Sequence, residues 1–292
     1  MAVKKSKAAT AKNVKKTKID TPFPITWCPG CPNSEILKAV KLAINNLIKK
    51  GEKQENFVTV TGIGCHGKIF DYVNLSGIYS LHGRPIPTAM GIKIGNPNLK
   101  VLAFEGDGDI YSEGLSHFVS AGRYNSDFTV IVHDNQSFSL TTGQATPTSQ
   151  KGYKSKAEPL GKIGNPLNPI KLALASNATF VARANARDSK HTAAIIEQAI
   201  KHKGFSFVEV IQDCLIFNLD INNRDKRMYK IPNKKRTKEK AMKLAEIYDY
   251  NLGKGRIPLG IFYKEERKTF EEQWPQLQIL QKRKTNWRNW KK

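Results

Sequence analysis

The four cysteines of the chain are the residues whose number and spacing most directly suggest a metal centre. Cys28 and Cys31 form a C-x-x-C pair, and Cys65 and Cys214 stand alone at a distance from it. Four thiolates bind either a tetrahedral zinc ion or an iron–sulfur cluster. Structural zinc sites more often contain two C-x-x-C pairs, so this spacing favours a cluster but leaves both metals open.

A glycine–aspartate segment has the composition of a diphosphate site. Gly106 and Gly108 let the backbone approach a bulky anion, and Asp107 between them offers a carboxylate oxygen to a divalent cation. Asn135 follows the next apolar run and can add an amide oxygen to the same ion. Because Mg²⁺ bound by few protein oxygens keeps positions for phosphate oxygens, these residues predict a magnesium–diphosphate site.

The elements that must position these residues can be recognised from their apolar patterns. Short runs rich in β-branched and aromatic residues predict buried strands at 57–61, 101–104, 128–133, 179–182 and 207–211. Helical spacing predicts helices at 33–50, 115–124, 166–175 and 188–203, with Asp188 as the N-cap of the last, and some helix around 237–248. Strands alternating with helices predict an α/β fold with a doubly wound parallel sheet.

Unusual loops follow four of the predicted strands. These loops are 62–68, 106–109, 134–137 and 212–214, and they contain most of the cysteines, glycines and acidic residues described above. In an open parallel sheet, ligands bind in the crevice beyond the carboxyl ends of the strands. We therefore expect the four loops to line one rim.

Five motifs along the chain resemble, in order, those of the β subunit of 2-oxoacid:ferredoxin oxidoreductases. They are WCPGC (27–31), GIGCHGK (62–68), LHGR (81–84), GDGD followed by HFVSAGRYN (106–125) and TTGQATPT (141–148). The similarity covers roughly residues 25–220. It implies the diphosphate-type fold that binds thiamine diphosphate.

The resemblance assigns site residues position by position. It implies Mg²⁺ ligands at Asp107, Asn135 and the backbone carbonyl of Ser137, and one 4Fe–4S cluster on Cys28, Cys31, Cys65 and Cys214. It implies catalytic roles for Lys68, which would attract the substrate carboxylate, and for His82. The implied contacts with thiamine diphosphate are Ile63, Gly64, Cys65, His66, His82, Gly106, Gly108, Asp109, Ser139 and Leu140.

The resemblance also implies an activity and partners. The reaction is the oxidative decarboxylation of a 2-oxoacid, pyruvate or 2-oxoglutarate, with coenzyme A as co-substrate. Electrons pass through the cluster to ferredoxin, and the active site is completed by a partner α subunit. The alternative is a non-redox, thiamine diphosphate-dependent 2-oxoacid lyase whose cysteines hold a structural zinc ion.

The formal charge of +23 is concentrated at the two ends of the chain. Residues 1–18 contain seven Lys and no acidic residue, and residues 224–292 contain 21 Lys and Arg against eight acidic residues, which leaves +3 for residues 19–223. This distribution predicts a disordered basic arm (1–20), a domain binding thiamine diphosphate and the cluster (21–223), and a basic C-terminal extension (224–292).

The same distribution argues against several functional classes. A nearly neutral core without a recognition module is not typical of a nucleic-acid-binding protein. No apolar run approaches the ~20 residues that a membrane span requires. Since the N-terminal arm also lacks the apolar core of a secretory signal, we expect a cytoplasmic protein without membrane or nucleic-acid partners.

Overall fold

The computed structural model describes residues 19–218, 224–251 and 255–282. These residues form one eight-stranded sheet with the strand order β2-β1-β3-β4-β6-β5-β8-β7. The strands are β1 Phe57–Thr61, β2 Ser76–Tyr79, β3 Lys100–Gly106, β4 Thr129–Asp134, β5 Phe180–Asn185, β6 Ser206–Ile211, β7 Met228–Lys230 and β8 Ile257–Lys264. The first six strands run parallel, and β8 pairs antiparallel with β5.

Helices cover both faces of the sheet. They are α1 Asn33–Lys49, α2 Ile69–Tyr72, α3 Pro85–Gly95, α4 Leu115–Tyr124, α5 Pro169–Ala175, α6 Ser189–Lys201, α7 Lys238–Ala245, α8 Phe270–Gln273 and α9 Pro275–Lys282. One apolar core packs α1, α2 and α6 against the sheet, and a second packs α3, α4, α5 and α7 against the opposite face. The predicted doubly wound α/β fold is therefore confirmed.

Side chains of the central strands divide between these two cores as the pleat requires. Ile131 of β4 faces the core with α1, whereas its neighbours Val130 and Val132 face the core with α4. Both faces are apolar, which is why the buried strands appear in the sequence as continuous apolar runs. None of the helices among the described residues combines the length and apolarity that a bilayer crossing needs.

Most predicted elements appear close to their predicted limits. β1 and α4 have the predicted limits, and Asp188 caps α6 by accepting the backbone N–H of His191 at 3.1 Å. The helix predicted from residue 166 begins at Pro169, because the side chain of Asn168 caps it by accepting the N–H of Lys171. Strands β2, β7 and β8 and helix α3 were not predicted.

Two parts of the predicted chain organisation lie at the ends of the folded region. Of the predicted basic arm, Ile19 is fully buried and Asp20 pairs with Lys41, while residues 1–18 lie outside the described residues. Within the predicted C-terminal extension, β7 and β8 add two strands to the sheet. The part of the extension before residue 283 thus contributes to the core as well as carrying charge, while residues 283–292 lie outside the described residues.

A fully buried ion pair joins this C-terminal segment to the parallel strands. Arg183 Nε of β5 lies 2.6 Å from Glu209 Oε2 of β6, and both side chains are completely buried. The guanidinium also donates to the Tyr250 hydroxyl at 2.6 Å and stacks over the rings of Tyr248 and Phe262. The C-terminal segment therefore supplies much of the environment that makes this buried charge tolerable.

Removing the carboxylate of this pair should strongly destabilise the fold. Glu209→Gln leaves the Arg183 guanidinium buried without a counter-charge, so we expect the free energy of unfolding to fall by about 3–5 kcal/mol. The matched control is Glu246→Gln, which removes one member of the exposed Lys171–Glu246 pair and should change it by no more than about 1 kcal/mol. Urea unfolding measures both, and equal losses would contradict this account.

Candidate cofactor and metal site

The loops beyond the carboxyl ends of the parallel strands enclose one cleft. Its empty volume is about 460 Å³. The cleft is lined by Ile63, Gly64, Cys65, His66, His82, Gly106, Asp107, Gly108, Asp109, His133, Asn135, Ser137, Phe138, Ser139, Leu140, Thr141 and Gln212. The structure thus brings together every position that the sequence assigned to thiamine diphosphate or Mg²⁺, although their contacts with a ligand stay a prediction.

Asp107 carries a buried carboxylate just after β3. Its Oδ2 accepts the hydroxyl of Thr148 at 2.8 Å, and that hydroxyl lies 3.1 Å from Asp134 Oδ1. Burial raises the pKa of Asp107 to about 6, against the opposing effect of hydrogen bonds from Thr146 and Thr148. A carboxylate whose ionisation is penalised in this way is suited to a cation, which would stabilise its charged form.

The loop after β4 holds the other two predicted metal ligands in a fixed conformation. Asn135 Oδ1 accepts the N–H of Ser137 at 3.1 Å, and Gln136 between them has a left-handed φ of 56°. The carbonyl of Gln136 accepts the Ser149 hydroxyl at 2.6 Å, and the carbonyl of Asn135 accepts the Asn218 amide at 3.1 Å. These contacts fix the path of the loop, with Asn135 and Ser137 both at the cleft.

Asp109 organises two histidines at another wall of the cleft. Its Oδ2 lies 3.1 Å from His66 Nε2, and its Oδ1 lies 2.9 Å from His82 Nδ1 and accepts the N–H of Gly83 at 2.6 Å. Burial alone would raise the pKa of Asp109, but these hydrogen bonds and the charge of His66 lower it to about 2. Asp109 is therefore a fixed negative charge that orients both imidazole rings.

Close backbone approach explains the glycines around these rings. A Cβ on Gly106 would stand 2.8 Å from His66 Nδ1, and a Cβ on Gly64 would stand 2.9 Å from the same atom. A Cβ on Gly62 would stand only 1.7 Å from Asp109 Oδ2. The glycines therefore make room for this wall of the cleft as well as for a ligand.

The four cysteines lie near enough to affect one another's ionisation. Burial first, and then the charges of Cys31 and Cys214, raise the pKa of the Cys65 thiol to about 11. The indole N–H of Trp27 donates to the Cys65 carbonyl at 2.7 Å, which ties the C-x-x-C loop to the loop after β1. Within the described parts of the chain, no group of three or more His, Cys, Asp or Glu side chains meets the geometry expected for holding a metal ion.

Lys68 lies outside the residues that line the cleft. Its ammonium donates to the carbonyl of Thr26 at 3.2 Å, and its charge acts to lower the pKa of Cys65. The structure therefore places Lys68 beside the cysteines, and its predicted contact with the substrate carboxylate stays a prediction.

Four cleft residues were not singled out from the sequence: His133, Phe138, Thr141 and Gln212. His133 had a readable signal, because it is a polar residue near the end of an otherwise apolar run on β4. Gln212 directly follows β6, at the same edge of the sheet. Phe138 and Thr141 belong to a loop whose path the sequence pattern does not reveal.

Two family descriptions match successive parts of the chain. Residues 62–210 match "Thiamine pyrophosphate enzyme, C-terminal TPP binding domain". Residues 220–279 match the description of the C-terminal part of the pyruvate ferredoxin oxidoreductase β subunit.

Curated relatives and solved structures give the same picture. A 2-oxoacid:ferredoxin oxidoreductase subunit beta from a Sulfolobus species is 46% identical over 253 residues, covering 82% of each chain. The 2-oxoglutarate synthase subunit KorB of Archaeoglobus fulgidus is 39% identical over 192 residues, covering 66% of this chain and 70% of that protein. A structure of a 2-oxoglutarate:ferredoxin oxidoreductase from Magnetococcus marinus, with 2-oxoglutarate, coenzyme A and succinyl-CoA bound, has a TM-score of 0.84 at 31% identity, covering 94% of this chain and 93% of that chain.

A methyl group at Gly62 should disrupt the Asp109 wall. Gly62→Ala places its Cβ against the Asp109 carboxylate, so we expect a loss of about 1–3 kcal/mol in the free energy of unfolding. The control is Gly91→Ala in α3, where a Cβ meets nothing within 4 Å and alanine should be neutral or stabilise the helix by up to about 1 kcal/mol. Chemical denaturation distinguishes the two, and a neutral Gly62→Ala would mean that Asp109 is not held as described.

Proposed function

Because the chain belongs to the family of 2-oxoacid:ferredoxin oxidoreductase β subunits, we propose that it forms the diphosphate-binding half of an enzyme that oxidises a 2-oxoacid with coenzyme A. In this reaction the 2-oxoacid loses CO₂ and its acyl group is transferred to the thiol of coenzyme A. The two electrons released pass singly through a 4Fe–4S cluster to ferredoxin. The substrate is pyruvate or 2-oxoglutarate.

One observation carries the proposal: the predicted diphosphate, metal and thiazolium positions line a single cleft at the carboxyl edge of the sheet. These positions come from loops after β1, β3 and β4 that are distant in the sequence. A merely structural use of the glycines and acidic residues would not require that they converge. Their convergence supports a ligand with both an anionic and a cyclic part.

The residues present fit Mg²⁺ and a diphosphate. Asp107 would bind the ion through its carboxylate, Asn135 through its amide oxygen and Ser137 through its backbone carbonyl. Gly106 and Gly108 would let the backbone approach the diphosphate. Bound there, thiamine diphosphate supplies the carbon nucleophile that adds to the keto group and the electron sink that allows CO₂ to leave.

The histidines of the cleft would orient the rest of the cofactor. Asp109 holds His82 at Nδ1, so Nε2 is the ring nitrogen that can meet a ligand. The hydrogen bond from Asp109 raises the pKa of His82, which favours a ring able to donate a proton. His82 is therefore the proposed catalytic residue within the cleft, and Lys68 would attract the substrate carboxylate from beside the cysteines.

A cluster on the four cysteines would lie next to this cleft, because Cys65 belongs to both sites. The thiolates would repel one another, and burial penalises their charge further, so together they favour a positively charged group that binds thiolates. A 4Fe–4S cluster meets this need and can accept electrons one at a time.

Further components of the enzyme follow from the relatives. The relatives are named as β subunits, which supports a partner α subunit that would finish the cleft. The structural relative contains coenzyme A, which supports it as the acyl acceptor here. Ferredoxin is the proposed electron acceptor because the relatives are named for it.

Magnesium-dependent cofactor binding tests the diphosphate site. In calorimetric titrations of the full chain, we expect thiamine diphosphate to bind with Mg²⁺ and not in the presence of a chelator. Asp107→Asn keeps the shape of the side chain but removes its charge, so affinity should fall at least about tenfold. The control Asp225→Asn removes an exposed carboxylate that pairs with Arg187 and should bind as the wild type does. Equal binding by Asp107→Asn would contradict the assignment.

Metal analysis tests the cysteine site. After oxygen-free purification we expect about four irons per chain with broad visible absorption, and loss of iron in Cys214→Ala. Ser34→Ala, close to the C-x-x-C pair but without a thiol, is the control and should retain the iron. Stoichiometric zinc without iron would instead support the non-redox lyase with a structural zinc site.

A further inference from the structure

A buried asparagine lies between the cysteine site and the cofactor cleft. Asn33 is the first residue of α1, two positions after Cys31, and is almost fully buried. Its Oδ1 lies 2.8 Å from Nδ1 of His133, a residue 100 positions later on β4 that lines the cleft. Asn33 is thus a point at which the two sites meet through side chains.

The other end of Asn33 acts on Cys31. Both its backbone N–H and its side chain hydrogen-bond to Cys31 and lower the pKa of that thiol, against the larger effect of burial, which raises it. A group lowers a thiol pKa through a hydrogen bond when it donates to the sulfur, because donation stabilises the thiolate. The side-chain amide NH₂ of Asn33 therefore faces Cys31.

This orientation determines the tautomer of His133. With the amide NH₂ on Cys31, the amide oxygen is the atom that faces His133, so His133 Nδ1 must carry the hydrogen. The remaining nitrogen, Nε2, is then an acceptor. It is buried, and within the described ranges of the chain no hydrogen-bond partner reaches it.

The surroundings of His133 keep the ring neutral and fixed. Burial holds the pKa of His133 well below its usual range, and the charge of His66 lowers it further. The ring packs edge-on against Phe104 at 6.2 Å between centroids and lies 6.0 Å from the ring of His66. His133 therefore presents one donor to Asn33 and keeps one acceptor, Nε2, in reserve.

From these contacts, and resting on the proposed function, we propose that His133 is a positioning residue that holds the Asn33 amide on Cys31 and thereby raises the reduction potential of the cluster. Hydrogen bonds to the sulfurs of a cluster stabilise its reduced form, which carries more negative charge. A ligand in the cleft that donates to Nε2 would polarise the same imidazole and strengthen its bond to Asn33. Occupancy of the cleft is in this way transmitted to Cys31.

The test is the midpoint potential of the cluster in the full chain, measured by redox titration under anaerobic conditions. Asn33→Asp is close in shape and still accepts from His133, but it has no side-chain N–H for Cys31. We expect it to shift the potential to more negative values. His133→Leu should shift it in the same direction, and His133→Gln, which keeps a donor, should restore part of the wild-type value.

The double variant distinguishes positioning from independent effects. If His133 acts through Asn33, adding His133→Leu to Asn33→Asp should produce little further shift. The matched control is His202→Leu, which removes another buried histidine; this one contacts Thr179 at 2.8 Å, just before β5 and so at the edge of the sheet opposite the cleft loops. It should leave the potential unchanged.

A second readout uses the cleft itself. Adding thiamine diphosphate with Mg²⁺ should shift the potential of the wild-type cluster, and this shift should shrink in His133→Leu. Iron-loaded variants with wild-type potentials, or shifts that add fully in the double variant, would overturn this inference alone. A wild-type chain purified without iron would overturn the cluster assignment and the inference with it.

Discussion

The in-register pairing of the central parallel strands is the constraint on which the site depends. Gly106 pairs with His133, and Asp134 pairs with Ile211, so the strands β3, β4 and β6 end side by side. The residues that follow each strand therefore emerge at one edge. A shift of one residue in any of these pairings would exchange the two faces of that strand, moving its core side chains to the wrong layer and, in β4, His133 away from Asn33.

This constraint also explains why so much of the cleft could be predicted from the sequence. Buried parallel strands have a strong signal, since both of their faces are apolar, and the residue at which each apolar run ends marks the edge of the sheet. The glycines, Asp107 and Asn135 all lie at or just after the ends of such runs. Once the carboxyl ends are known to be adjacent, polar residues distant in the chain can be placed together without knowing any loop conformation.

Other features could not be predicted because they depend on distant or weakly patterned contacts. β2 is an edge strand with four exposed residues, so it lacks the apolar run that reveals a buried strand. β8 pairs antiparallel with β5 and lies within a basic region whose charge masks its apolar pattern. The contact of Asn33 with His133 depends on the packing of α1 against the sheet, which no local pattern encodes.

The buried Arg183 gives the chain a fixed order of completion during its synthesis. Its partner Glu209 is made soon afterwards, but Tyr250, which accepts from the guanidinium, is 67 residues further along, and Phe262 is later still. A nascent chain that has released only the parallel strands holds an ion pair that is open to water on one side. The native sheet therefore closes only after β8 has left the ribosome, so a late-translated segment seals a core that the earlier segments begin.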